Sequence, residues 1–136
     1  MTSTAAARTT STTATSAPTL WVRLYQLFSV LTALLVLVQF LTAGQLFPQG
    51  GPEQLHAAGA IVLHVVSGLA VVAAFVLWRT GGMTTAQAAL PVVVFAFTFV
   101  QAATGGRTNL AVHVPGAMIL TAGAVWQLVT ALRPRR

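Results

Sequence analysis

The sequence predicts an all-α protein of the membrane: a transmembrane up-down-up-down four-helix bundle built from a duplicated helical hairpin. Three observations carry that expectation. Hydrophobic residues make up 56% of the chain and charged residues 6%, against about 25% charged in an ordinary soluble domain, so water is not its main solvent. Four apolar runs, each close to the ~20 residues that cross about 30 Å of hydrocarbon, are separated by turn-forming breaks. A motif also occurs twice. Leu55-His56-Ala57-Ala58-Gly59-Ala60-Ile61-Val62-Leu63 returns as Val112-His113-Val114-Pro115-Gly116-Ala117-Met118-Ile119-Leu120, and Val38-Gln39-Phe40-Leu41-Thr42-Ala43-Gly44 returns as Val100-Gln101-Ala102-Ala103-Thr104-Gly105-Gly106. Each unit reads as a helix closing on a Gln-Thr-Gly turn, followed by a helix that opens on a histidine.

The 136 residues leave room for one domain. Residues 1–19 are mostly Thr, Ser and Ala and lack the apolar content that would offset ordering entropy, so they read as a disordered cytoplasmic tail. A signal peptide is the competing reading, but its apolar core spans about 7–15 residues and the run that follows is longer. The four-helix domain takes residues 20–136. Its first span runs from about 24 to 43, with Trp21, Arg23 and Tyr25 at its start, where amphipathic rings and cations favour the headgroup level. Gly44, Pro48, Gly50, Gly51 and Pro52 break it.

The second span covers about 54–78 and stops at Arg79 and Gly81-Gly82. The third covers about 86–104; its Pro91 is tolerated near the helix start, where few bonded donors are lost, and Gly105-Gly106-Arg107 closes it. The fourth covers about 111–132 and ends in Arg133-Pro134-Arg135-Arg136. The net charge of +6 comes from seven Arg against the single acid Glu53. Arg8, Arg23, Arg79, Arg133, Arg135 and Arg136 fall on the termini and the 79–85 loop, and the other two loops hold only Arg107. The positive-inside rule therefore places both termini in the cytoplasm of a bacterial inner membrane, with His56 and His113 near the outer face.

Backbone groups in lipid must bond internally, so the spans are helices, and short connections make consecutive ones antiparallel neighbours. The second and fourth helices then lie on a diagonal on the order of 13 Å, from neighbour spacings of about 8–10 Å. At 100° per residue, His56, Ala60, Leu63, His64, Ser67 and Val71 share one stripe. His113, Ala117, Leu120, Thr121, Ala124 and Gln127 share another. Gln39, Thr42, Gln101 and Thr104 fall at the same outer depth. Polar residues inside a span are functional candidates by default. Two neutral imidazoles facing across a bundle suit a six-coordinate iron in a planar macrocycle, namely heme b, with Gly59 and Gly116 leaving it room. A bare divalent ion wants three or four protein ligands, and two His with Glu53 make a poor zinc site.

On these residues the membrane region, about 24–132, resembles small four-helix membrane proteins of actinobacterial type and, more distantly, one four-helix half of heme A synthase. In that enzyme each half carries a His on its second and fourth helices binding heme, and the first half has Glu-x-x-His-Arg at the start of the second helix. Glu53-Gln54-Leu55-His56-Ala57 keeps the Glu and the His and replaces the Arg by Ala57. The resemblance implies that His56 and His113 are axial ligands and that Glu53 stands where the synthase has a catalytic carboxylate. It also implies a membrane redox or assembly partner, and that two copies of a single half could pair to mimic the whole enzyme.

Other readings of these residues stay open. The histidines can instead hydrogen-bond to Gln39, Gln101 or water, and Gln39 and Gln101 can simply join helices. His64 has Thr121 in its place in the second copy and lies ~12 Å below His56, as a buried donor or a contact on a cofactor edge. Glu53 can be a helix-N-terminal charge favoured by the dipole. The chain would then be a cofactor-free accessory or assembly subunit, or a small-ligand carrier, although the midplane lacks the broken helices of carriers. The absence of Cys excludes disulfides, thiolate metal sites and cysteine nucleophiles. No nucleophile triad, phosphate loop or aromatic-basic stripe supports a hydrolase, a kinase or a nucleic-acid binder. If the chain is an enzyme at all, it is a heme-dependent membrane oxidoreductase.

Overall fold

The computed structural model describes residues 19–46, 53–105 and 109–133. The residue 1–18 part of the expected tail, the Pro48, Gly50, Gly51 and Pro52 break, Gly106-Arg107 and the last three residues lie outside them. Four helices account for the described chain: α1 (Thr19–Gly44), α2 (Glu53–Arg79), α3 (Thr85–Thr104) and α4 (Leu110–Leu132). All four are long and apolar enough to cross a membrane. Thr19, expected in the tail, is the first residue of α1. The helix thus begins ahead of the apolar run and carries Trp21 and Arg23 with it.

Each helix packs on two others, α1 and α3 both on α2 and α4. Much of what they bury is small or polar, with a few larger apolar side chains among it. The interior of α1 is Tyr25, Ser29, Thr32 and Val36, and that of α2 is Leu63, Ser67, Ala70, Ala73, Ala74 and Leu77. α3 contributes Pro91, Val94, Thr98 and Gln101, and α4 contributes Gly116, Leu120, Ala124, Gln127 and Ala131. Large aliphatic and aromatic side chains such as Leu41, Ile61, Val93, Met118, Ile119 and Trp126 point outward. This inversion fits a lipid solvent, in which helices associate through close packing of small residues and interhelical hydrogen bonds. Most buried hydroxyls are satisfied on their own helix: Ser67 donates to the Leu63 carbonyl (2.6 Å), Thr32 to that of Phe28 (2.7 Å) and Thr98 to that of Phe95 (2.6 Å).

The packing falls into layers. At one end Tyr25, Ala73, Ala74, Leu77, Met83 and Ala131 form a cluster, and in the middle Val36, Leu63, Val94, Leu120 and Ala124 form a second. The first end is pinned across helices where Gln26 donates to the Ala131 carbonyl (3.1 Å) and Gln127 to Ser29 Oγ (3.1 Å). Arg23, Arg79 and Arg133 each stand two residues from a member of that first cluster and are exposed, so the described arginines collect at this end. The Arg79 guanidinium lies 6.0 Å from the centre of the Trp78 ring, and Trp78 Nε1 donates to Thr85 Oγ1 (3.1 Å).

The α2–α3 connection shows how local chemistry sets these ends. Gly82 N–H donates to the Leu77 carbonyl (2.8 Å) and Gly81 N–H to that of Trp78 (3.1 Å), the pair of bonds of a Schellman motif. Gly81 takes φ +74° to make it. Thr84 then caps α3 by a reciprocal exchange with Gln87. A Cβ on Gly81 would meet nothing within 4 Å, so Gly81→Ala carries only the left-handed backbone penalty. It should lower stability by about 1–2 kcal/mol, read as the midpoint shift of thermal unfolding in detergent. Pro91 lies beyond the first turn of α3 and is buried, and Pro115 lies inside α4; each removes one backbone donor from its helix.

Candidate functional site

The end away from the arginine cluster holds the predicted polar residues. His56 lies one turn into α2 and His113 one turn into α4, both half-buried. Their ring centres are 6.4 Å apart with planes at 74°. The two imidazoles of α2 and α4 are thus direct neighbours with steeply inclined planes.

His56 is firmly held. Its Nδ1 lies 3.1 Å from Thr42 Oγ1 on α1. The Thr42 hydroxyl has the carbonyls of Val38 (3.0 Å) and Gln39 (3.1 Å) to donate to. Oriented so that both its groups are satisfied, the Gln39 carboxamide donates to the His56 carbonyl (3.2 Å), accepts from the Ala60 N–H (3.1 Å) and presents its N–H to His56 Nδ1 (3.2 Å). The tautomer decides which contact is used. A protonated Nδ1 donates to Thr42, and an unprotonated one accepts from Gln39. One side chain of α1 thereby grips both the ring and the first-turn backbone of α2.

Gly59 makes this grip sterically feasible, because a methyl group there would overlap the Gln39 carboxamide. Gln101 of α3 lies against Gly116 of α4 in the same way, and a methyl on Gly116 would overlap it. The room expected at both glycines is therefore filled by an amide from the preceding helix. The α3–α4 side is less well satisfied. Gln101 Oε1 and His113 Nδ1 are both buried without a hydrogen-bond partner, an arrangement that costs about 1–3 kcal/mol per group in a protein interior. Thr104 donates to the carbonyls of Val100 (3.0 Å) and Gln101 (3.3 Å) on its own helix.

His64 does not join the pair. Its Nδ1 lies 2.6 Å from the Ala60 carbonyl, and its ring stands edge-on to Phe99 at 4.3 Å, with Phe95 behind Phe99 at 5.0 Å. Of the stripe expected on α2, Leu63 and Ser67 are buried. His64 and Val71 turn toward α3 instead, Val71 lining a groove with Thr85, Ala88, Ala89 and Val92. Ala70, Ala73, Ala74 and Leu77 are buried on the same helix, so the inward face of α2 runs past His64. On α4 the expected Leu120, Ala124 and Gln127 are buried and Gly116 joins them. Glu53 is exposed at the first residue of α2.

Sequence reasoning missed the buried Ser29–Gln127 contact at the other end. The spacing Tyr25, Ser29, Thr32, Val36 along one face of α1 was the available signal. Among the described residues no three His or carboxylate side chains converge, so the donors that meet are two imidazoles. Neither protein-family models, nor curated proteins, nor solved structures give a match to this chain.

Proposed function

We propose that the chain is an up-down-up-down bundle of the bacterial inner membrane, formed from a doubled hairpin, with both termini cytoplasmic, and that it holds heme b between α2 and α4. The single observation that supports heme is the 6.4 Å spacing of the two imidazole rings. Two imidazoles that would share one metal ion through bonds of about 2 Å have their ring centres within roughly 6 Å of each other. The donor set fits as well, since two neutral imidazoles are a common axial pair for an iron macrocycle. His56 and His113 would hold the group through Nε2. Thr42 would take the His56 Nδ1 proton, the usual outer partner of a metal-bound imidazole. When bound, heme supplies one-electron chemistry. The chain's own residues set ring orientation, polarity and access. Arg23, Arg79 and Arg133 at the opposite end support a cytoplasmic placement of that end.

The test is spectroscopic. Protein purified in detergent from a heme-replete host should show an intense near-ultraviolet porphyrin band and sharp visible bands on reduction. The double variant His56→Ala/His113→Ala should be folded and colourless. A wild type that is well folded and colourless overturns the heme reading. It would favour a cofactor-free accessory subunit, a reading supported by the Thr42 and Gln39 bonds that already satisfy His56.

A further inference from the structure

His56 and His113 occupy matching places in two similar segments, yet their surroundings differ. We infer that they are unequal ligands: His56 is the permanent one, positioned by Thr42, and His113 is the exchangeable one, so that the site admits a small neutral ligand on the α4 side. This rests on the heme reading above.

An imidazole bound through Nε2 keeps its proton on Nδ1, and an acceptor for that proton fixes the ring and raises its basicity. Thr42 Oγ1 is that acceptor for His56, at 3.1 Å, and its own proton has two carbonyls to go to. Gln39 ties down the backbone on either side of the same turn. On the other side, among the described residues, Thr104 bonds within α3 alone and His113 Nδ1 is buried without an acceptor. Gln101, 8% exposed, carries an unpartnered Oε1 beside Gly116, three residues from His113. Asn109 makes no side-chain capping bond to the start of α4, so the turn that bears His113 lacks the hold that α1 exerts on α2. A ring without an outer partner is the weaker ligand. The unpartnered carbonyl of Gln101 offers an incoming polar molecule an acceptor at the same spot.

The decisive comparison is Thr42→Val against Thr104→Val, two equal changes that remove one hydroxyl each. Thr42→Val should lower heme affinity by about 10- to 100-fold, and Thr104→Val should leave it unchanged. Reduced wild type should shift its visible bands under carbon monoxide. His113→Gly should keep its heme and regain the wild-type spectrum when free imidazole is added, whereas His56→Gly should lose the heme. A heme-bearing wild type in which both Thr variants weaken heme equally, or which ignores carbon monoxide, overturns the inequality and leaves the heme reading intact. Heme loss from His113→Gly as complete as from His56→Gly does the same. A colourless wild type overturns both.

Discussion

Leu77→Ala should destabilise the bundle by about 2 kcal/mol, at the low end of the range for buried Leu truncations, while leaving the histidine end unchanged. Leu77 is fully buried and sits among Tyr25, Ala73, Ala74, Met83 and Ala131. Ala73, Ala74 and Ala131 are too short to reach into the space left by three carbons, so it closes poorly. In water the loss would include the transfer of those carbons out of solvent. In a bilayer the separated helices meet hydrocarbon, so lost dispersion contacts make up most of the deficit. The check is unfolding of purified protein in mixed micelles with increasing denaturing detergent, followed by circular dichroism. An unchanged midpoint would mean that this cluster does not hold the ends of α1, α2 and α4 together.

Gly59→Val should cost as much or more, about 2–3 kcal/mol, and the loss should be concentrated at the histidines. A side chain at 59 drives the Gln39 carboxamide off α2. That breaks its contacts with the His56 carbonyl, the Ala60 N–H and the imidazole. Interhelical hydrogen bonds in membranes average about 0.6 kcal/mol each, so the two backbone bonds, with the imidazole bond in the tautomer that makes it, account for ~1–2 kcal/mol, and crowding adds to it. Adding Gln39→Ala should restore part of the loss, because the clash and the bonds share one side chain; a coupling above ~0.5 kcal/mol in the double-mutant cycle marks that dependence. Gly116→Val gives the control. Gln101 has an unpartnered Oε1 to begin with, so fewer bonds are lost there and the effect should be smaller. Equal effects at the two glycines would show that only volume matters.

How much of this was legible beforehand follows from which forces act through sequence. The helices were readable because ~20 apolar residues without a break leave few other structures in hydrocarbon, and the observed ends lie within a few residues of those expected. The meeting of His56 and His113 was readable from the repeated Gln, Gly and His spacing. The orientation of α2 was not. A stripe drawn at 100° per residue starts from an assumed centre line, and the observed line runs through the alanines at 70, 73 and 74 and leaves His64 against Phe99. The occupants of the space above Gly59 and Gly116 were hidden as well. A glycine in a sequence announces clearance without saying what enters it, and here the visitor is an amide from the preceding helix. The Ser29–Gln127 contact joins residues 98 positions apart, beyond the reach of any local pattern.

The abundance of Ala, Ser, Thr and Gly on the inward faces has a bearing on attempts to bring this chain into aqueous buffer. Exchanging the outer leucines, valines and isoleucines for glutamates and lysines would remove nearly all the oil the molecule possesses. The few larger side chains left inside, Tyr25, Leu63, Leu77 and Leu120 among them, expel too little solvent to keep four rods together. Redesign for crystallisation or scattering without detergent would therefore have to enlarge the inner side chains as well as repaint the rim, and the enlarged chains would crowd the two rings.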